Sequence, residues 1–185
     1  MKKIKLNEVI RVKRGKSLPG KYYSTEESSL IRLTLGNFSY PINGFKVNAS
    51  KNDLFYSGEV EKEFILKEGD IITPLTEQVR GLLGSTAIIP ESNKYVQSGD
   101  IGLVLLNEEK IDRNFVYYLI QSKIIREQLS VTAQQTKIRH TSPDKIENCV
   151  AWIPELKEQR KIGSLLKFID RKIEVNNMIN DNLAA

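Results

Sequence analysis

Residues 153–183 read IPELKEQRKIGSLLKFIDRKIEVNNMINDNL, and this stretch decides the architecture of the chain. After Pro154 it contains no glycine or proline except Gly163. Apolar and asparagine side chains advance in alternating steps of four and three residues, which is the 3.5-residue period of a coiled-coil seam. The seam consists of Ile162, Leu166, Ile169, Ile173, Asn176, Asn180 and Leu183. The pattern predicts one long helix from about Glu155 to Leu183.

A second apolar stripe lies beside the seam and comprises Leu165, Phe168, Val175 and Ile179. Two stripes give a helix more apolar surface than one neighbouring element covers. We therefore expect one stripe to pack on the rest of the chain and the other to meet a partner helix, with Asn176 and Asn180 fixing register and orientation. The alternative is a terminal helix that packs wholly on its own domain.

Upstream of Pro154, short apolar runs alternate with turn residues, which predicts a mixed α/β (α+β) domain of short strands and helices. We place its boundary between residues 1–153 and a helical region at 154–185. The predicted strands are Leu30–Gly36, Ile71–Ile72, Thr86–Ile89, Tyr95–Gln97, Ile101–Leu106 and Val150–Ile153.

Two helices are predicted inside this domain. Apolar residues on one face indicate a helix from Asp112 to about Ser130, with the Asp112 carboxylate as N-cap. Ser142 followed by Pro143 indicates the capped start of a short helix that ends near Cys149.

Composition limits the classes of function. The chain has 185 residues, of which 40% are hydrophobic and 28% charged, and this suits one globular domain with an appendage. No apolar run reaches the length of a membrane span. Cys149 is the single cysteine and His140 the single histidine, so an intramolecular disulfide and a cysteine-based metal cluster are excluded, and a zinc site or a histidine-dependent triad is disfavoured. These features predict a cytoplasmic protein.

Positive charge is concentrated at the N-terminus. The net charge is +5, and residues 1–23 carry eight basic side chains against one acidic side chain. A clustered basic surface attracts polyanions. The alternative is a solvated terminal segment without a partner.

Several short motifs follow one another in a distinctive order. They are Leu6–Val9, Arg14–Lys16, Leu66–Ile72, Ile153–Ile162, Leu165–Leu166 and Ile169–Asp170. The densest is Ile153–Ile162, with its proline, leucine, Glu-Gln pair and isoleucine. Together the motifs resemble the specificity (S) subunit of type I restriction–modification systems, namely one target recognition domain and its conserved helical region.

The resemblance implies a non-catalytic α/β domain that reads one half of a bipartite double-stranded DNA target and docks methyltransferase subunits, with a restriction subunit as further partner. It implies no cofactor on this chain, because S-adenosylmethionine, ATP and Mg²⁺ belong to the partner subunits. Specificity subunits normally hold two such domains. This chain is then a natural half-subunit that pairs through its helix, or half of a longer subunit.

Direct reading of base edges needs bidentate donors and acceptors. The polar stretch Gln134–Thr141 is richest in them, and Thr76–Gly81 is a second candidate. The alternatives are a solvated loop for the first and a plain turn for the second. From the two stretches we predict DNA contacts by Gln78, Arg80, Gln134, Gln135, Thr136, Lys137, Arg139 and His140. At the basic N-terminus we expect phosphate contacts by Lys13, Arg14, Lys16 and Lys21, because lysine acts as a point charge.

Two rival functions remain open at this point. Pro143-Asp144 followed by Glu155-Leu156-Lys157 formally matches the PD…ExK string of Mg²⁺-dependent nucleases. That chemistry needs carboxylates converging from neighbouring strands, whereas these residues are predicted at helix starts. A coiled-coil adaptor without DNA is the other alternative, and it leaves the polar stretches without a role.

Overall fold

The computed structural model describes residues 1–39, 43–132 and 139–184. The strands are β1 (Lys2–Lys5), β2 (Ile10–Arg14), β3 (Tyr23–Ser24), β4 (Ile31–Arg32), β5 (Phe55–Tyr56), β6 (Ile71–Pro74), β7 (Thr76–Glu77), β8 (Ala87–Ile88), β9 (Tyr95–Val96), β10 (Ile101–Leu106), β11 (Arg139–His140) and β12 (Val150–Ile153). The α-helices are α1 (Arg113–Gln121), α2 (Lys123–Thr132), α3 (Pro143–Glu147) and α4 (Leu156–Ala184). The predicted mixed class is confirmed.

A four-stranded antiparallel sheet in the order β2-β10-β6-β8 forms the centre. Consecutive residues on its strands enter different cores, because side chains alternate between the two faces of a strand. Ile71 and Val104 join the core under α1, α2 and α3, whereas Ile72 and Leu103 join the core on the other side. A second sheet, in the order β3-β5-β4-β9, lies beside it, and β1-β12 and β7-β11 form two-stranded ribbons.

The strand predicted at Leu30–Gly36 is wrong over most of its length. Only Ile31–Arg32 is a strand, and a 3-10 helix follows at Leu35–Asn37. The Thr34 hydroxyl accepts a hydrogen bond from Gly36 N–H at 3.2 Å, and Asn37 Oδ1 accepts one from Thr34 N–H at 2.9 Å. These local bonds satisfy backbone groups that a strand would have paired with a neighbour.

The helix predicted from Asp112 to Ser130 divides into α1 and α2 at Ser122. The capping prediction is confirmed, since Asp112 Oδ1 accepts a bond from Phe115 N–H at 2.9 Å. Ser122 has extended backbone angles, and Arg126 Nε donates to the Gln121 carbonyl at 2.8 Å. The arginine thus replaces a helical hydrogen bond at the end of α1, which permits the break.

The short helix α3 starts as predicted. Ser142 Oγ accepts a bond from Lys145 N–H at 3.3 Å, and Pro143 occupies the first helical turn. The helix ends at Glu147, two residues before Cys149, and the strand predicted at Val150–Ile153 is present as β12.

The long helix α4 has 29 residues and a length of about 43 Å at 1.5 Å per residue. Its first turns dock on the start of α1. Gln159 is 1% exposed; it accepts a bond from Asp112 N–H at 2.9 Å and donates to the Pro154 carbonyl at 3.0 Å. A Cβ at Gly163 would lie 2.7 Å from Phe115 N, so only glycine permits this approach. None of the helices in the described ranges combines the length and apolarity needed to cross a bilayer.

Candidate nucleic-acid interface

Two stretches that the sequence analysis treated separately meet in one antiparallel ribbon. In the β7–β11 pair, Arg139 lies opposite Glu77 and His140 lies opposite Thr76. Because the strands are antiparallel, the chain leaves β7 toward Gln78 at the same end where β11 begins. The candidate residues Gln78, Arg139 and His140 therefore share one region of the surface.

Glu77 is the buried centre of this region. Its side chain is 2% exposed, and its Oε2 accepts bonds from the backbone N–H groups of Gly81 and Leu83, both at 3.0 Å. Its Oε1 accepts a bond from Arg139 Nη1 at 2.7 Å. A carboxylate removed from water needs such partners, because an unpaired buried charge is costly.

Arg139 is committed to this framework. Its Nη2 donates to the Ser130 carbonyl at 2.5 Å and to Ser130 Oγ at 3.1 Å, in addition to the Glu77 bond. The guanidinium thus ties β11 to the C-terminal turn of α2 and to β7. The predicted contact of Arg139 with DNA stays a prediction, and three hydrogen bonds of its guanidinium are already made to Glu77 and Ser130.

The turn after β7, residues 78–80, presents its side chains to solvent. Gln78, Val79 and Arg80 are consecutive exposed residues, and Val79 is 61% exposed. The base of the turn is held from both sides, because Arg126 Nη1 donates to the Gly81 carbonyl at 2.5 Å while Glu77 accepts the Gly81 N–H. Gly81 adopts φ +98°, a left-handed conformation that favours glycine.

A polar chain runs from His140 into the central sheet. Thr76 Oγ1 donates to Asp100 Oδ1 at 2.8 Å and lies 3.3 Å from His140 Nδ1. Since the hydroxyl proton is used on Asp100, Thr76 accepts from His140 Nδ1–H, which leaves Nε2 of the exposed imidazole for a ligand.

Arg14 also reaches the end of β11. Its Nη1 donates to the Gly99 carbonyl at 2.7 Å and its Nη2 to the Thr141 carbonyl at 3.3 Å. The arginine therefore belongs to the same surface as the ribbon, although it lies far from it in sequence.

The predicted phosphate contacts Lys13 and Lys16 form surface ion pairs. Lys13 Nζ lies 2.9 Å from Glu63 Oε2, and Lys16 Nζ lies 2.6 Å from Glu61 Oε1. The hydrogen bond from Lys16 holds the pKa of the Glu61 carboxyl below its usual range. Exposed pairs of this kind contribute little stability, so a phosphate can replace the carboxylate. The fourth residue, Lys21, has its ammonium 4.8 Å from the centre of the Tyr22 ring.

A groove of about 450 Å³ opens beside the turn and contains polar residues that sequence reasoning missed. Gln78 lines it together with Asn48, Lys46 and Lys51. Isolated lysines in a loop form no pattern, so no sequence signal singled them out. The predicted contacts Gln134, Gln135, Thr136 and Lys137 lie outside the described residues.

The nuclease string does not assemble into a site. Asp144 lies in the first turn of α3, while Glu155 and Lys157 flank the start of α4. Across residues 1–39, 43–132 and 139–184, no three or more His, Cys, Asp or Glu side chains are grouped to hold a metal ion. The required convergence from neighbouring strands is therefore not found there.

Most of the predicted seam on α4 is exposed. Leu166 is half-buried, and the exposed members are Ile162 at 40%, Ile169 at 44%, Ile173 at 48% and Leu183 at 81%, together with Asn176 and Asn180. The second stripe is exposed too, with Leu165 at 60%, Phe168 at 57%, Val175 at 42% and Ile179 at 50%. Within the described chain, both stripes thus lack a covering element over most of their length.

Comparison with known proteins gives a consistent result. The sequence model described as type I restriction modification DNA specificity domain matches residues 1–185. The chain is 25% identical over 175 residues to the type I restriction enzyme MjaVIII specificity subunit of Methanocaldococcus jannaschii, which covers 93% of this chain and 40% of that protein.

Three solved structures share the fold. The S subunit of a type I restriction–modification system from M. genitalium has 17% identity and a TM-score of 0.62, over 98% of this chain and 44% of that one. The HsdS subunit of Thermoanaerobacter tengcongensis has 18% identity and a TM-score of 0.62, over 94% and 38%. A chain from a study of type I R-M complex assembly and conformational transition has 15% identity and a TM-score of 0.66, over 98% and 41%. This chain thus spans less than half the length of these proteins.

Proposed function

This chain belongs to the family of type I restriction modification DNA specificity domains. We propose that it reads one half of a bipartite DNA target and that methyltransferase subunits bind to it on that DNA. Specificity subunits of this family are non-catalytic DNA-recognition proteins, so the chain is a recognition protein and not an enzyme.

The β7–β11 ribbon carries the proposal. It brings Gln78, Arg139 and His140 to one region, and Arg14 joins them through its bond to the Thr141 carbonyl. Side chains that can hydrogen-bond base edges are thereby combined with cations that can meet phosphates, on a framework fixed by buried bonds. Lys13, Lys16 and Lys21 supply further phosphate contacts, which position the protein without specifying sequence.

The exposed face of α4 supports the second half of the proposal. A single recognition domain reads a single half-site, so a bipartite target needs a second domain at a fixed distance. We assign the seam on α4 to pairing with a second recognition half, either another copy of this chain or a covalently linked domain. The two paired recognition domains then act together with methyltransferase and restriction subunits. Those subunits bind S-adenosylmethionine, ATP and Mg²⁺. The complex acts in the cytoplasm, where its DNA lies.

Methylome sequencing tests this function. A host carrying the chain together with its methyltransferase should show one bipartite methylated motif that a host with the methyltransferase alone does not show. Exchange of residues 1–153 for the equivalent region of another specificity subunit leaves α4 in place and should change the half-site that this domain reads. One half of the motif changes if the second domain is different, and both halves change if two copies of the chain pair. An unchanged motif after the exchange would contradict the proposal.

A further inference from the structure

We infer that the exposed turn Gln78-Val79-Arg80 is the element that reads base edges in the major groove, and that Arg139 positions it instead of reading bases. The inference rests on the proposed DNA recognition and adds which side chains specify sequence. It also predicts that the half-site contains a guanine and an adenine.

The three side chains of the turn match the chemistry of base readout. Arginine donates two bonds to guanine O6 and N7, glutamine pairs with adenine N6 and N7, and an apolar group contacts the thymine methyl. Arg80 and Gln78 supply the first two, and Val79, 61% exposed, supplies the third.

The donors of the turn are available, unlike those of Arg139. In residues 1–39, 43–132 and 139–184, neither Gln78 nor Arg80 has a side-chain hydrogen bond or ion pair. Arg139 instead divides its two terminal nitrogens between Glu77 and Ser130. A guanidinium that already neutralises a buried carboxylate would have to abandon it to bind guanine, which costs more than the contact returns.

The turn is also held in a defined place before DNA arrives. Glu77 binds the backbone N–H groups of Gly81 and Leu83, and Arg126 binds the Gly81 carbonyl. These bonds fix the residues that follow Arg80, while Glu77 itself is fixed in β7. Less side-chain and backbone freedom is lost on binding when the reading element is already ordered.

Selection from a randomised duplex library tests the inference with the full chain at one fixed salt concentration. The variants are Arg80→Ala, Gln78→Ala and Arg139→Lys, and Lys67→Ala is the charge-matched control, because Lys67 is exposed and precedes β6 whereas the turn follows β7. Thermal unfolding of each variant establishes that it is folded. Within the described residues the side chains of Gln78 and Arg80 make no hydrogen bond or ion pair. Arg80→Ala and Gln78→Ala should therefore have the same unfolding temperature as the parent.

We expect Arg80→Ala to lose selection at one guanine position and Gln78→Ala to lose it at a different adenine position. Each should weaken binding to the parent's site by about 5- to 150-fold and leave other sequences nearly unaffected. Arg139→Lys should keep the parent's preferred bases, and Lys67→Ala should match the parent throughout.

Three results would overturn the inference. An Arg80→Ala variant that weakens binding equally on every sequence makes Arg80 a phosphate contact. An Arg139→Lys variant that loses one base position while Arg80→Ala keeps all of them makes Arg139 the reader. A parent chain that enriches no sequence overturns the proposed function, and this inference with it.

Discussion

A carboxylate that is 2% exposed needs hydrogen-bond donors, and Glu77 has two nearby in sequence, the N–H groups of Gly81 and Leu83, and a third that is distant, Arg139. Arg139 is 62 residues away from it, and the two meet only because β7 and β11 pair. The Arg139–Glu77 pair connects β11 and β7 to the end of α2 and to the turn after β7. Removal of either side chain should therefore destabilise the protein.

Arg139→Ala should lower the free energy of unfolding by about 3 kcal/mol, because it leaves the Glu77 carboxylate buried with only backbone donors. Glu77→Gln in the same chain should restore at least about 1 kcal/mol, since an amide oxygen still accepts from Gly81 and Leu83 and no charge remains. Chemical denaturation of the two single variants and the double variant measures the coupling. A double variant no more stable than Arg139→Ala would contradict the buried-charge account.

Cys149 is a buried thiol whose reactivity reports on folding. Burial raises the pKa of its thiol to about 11, and its Sγ donates to the Lys145 carbonyl at 3.3 Å. The thiolate is the reactive form, so the folded protein at pH 8 should react with a maleimide on the order of 100-fold more slowly than the protein in denaturant.

The native rate should rise about tenfold per pH unit until about pH 11, because the raised pKa delays ionisation. The thiol of the unfolded protein loses its proton at a lower pH than the thiol of the folded protein. The free energy of unfolding should therefore fall as pH rises from the pKa of the unfolded thiol to that of the folded thiol, about 11. Cys149→Ala, which abolishes labelling, is the control for side reactions. Equal rates with and without denaturant would show that the thiol is accessible in the folded state.

At the scale of elements, local signals in the sequence are reliable and distant ones are not. Asp112 and Ser142 cap helices as predicted, because each binds an N–H three residues further along the chain. The break at Ser122 and the 3-10 helix after Thr34 were missed, because an apolar periodicity continues through both. The joining of Thr76–Glu77 to Arg139–His140 could not be predicted, since a two-residue strand carries no pairing information.

The crossing of α1 and α4 depends on the absence of a side chain at Gly163. A Cβ there would lie 2.7 Å from Phe115 N and 2.9 Å from Asp112 Oδ1, which is the oxygen that caps α1. Gly163→Ala should therefore destabilise the protein by about 1–3 kcal/mol, although alanine favours helix by about 1 kcal/mol. Thermal or chemical unfolding measures it, with the exposed neighbour Ser164→Ala as control. A stabilised Gly163→Ala chain would show that the two helices do not hold this approach.

At the scale of the whole molecule, the first half of α4 belongs to the domain and the second half projects from it. Gln159 and Gly163 are buried against the start of α1, and Tyr118 donates to Asp170 Oδ2 at 2.7 Å. From Lys167 to Leu183 every residue is exposed. The sequence predicted a different division, with one stripe on the domain and the other on a partner, whereas both stripes are exposed over most of their length. The docking of the first turns depends on Gln159 and Gly163, which belong to neither stripe.

Antiparallel pairing of α4 with a second copy is the consequence we expect. Two-fold symmetry sets the same face against itself, so each contact between the apolar start and the asparagine-rich end is made twice. The helix is about 43 Å long, and one turn of B-DNA is about 34–36 Å. Recognition domains at the two ends would therefore meet the same face of DNA, a little more than one turn apart.

Ile169→Asp combined with Ile173→Asp should give a monomer by light scattering, because it places charges in the seam that pairing would bury. This variant should retain binding to a single half-site and lose the preference for an inverted repeat with fixed spacing. Lys167→Gln with Arg171→Gln lowers the net charge by the same two units at exposed positions outside both stripes and should leave the dimer intact. A parent chain that is monomeric at tens of micromolar would contradict self-pairing and point to a covalently linked second domain.

The length of the helix supplies an independent measurement. One heptad inserted after Ile173 lengthens it by about 10 Å, which corresponds to about three base pairs of DNA at 3.4 Å each. Because the insertion keeps the 3.5-residue phase of the seam, pairing should survive and the preferred spacer should lengthen while each half-site stays the same. An insertion of four residues shifts the phase and should weaken the dimer instead. If the spacer did not change after a full heptad, α4 would not be what sets the distance between the two recognition domains.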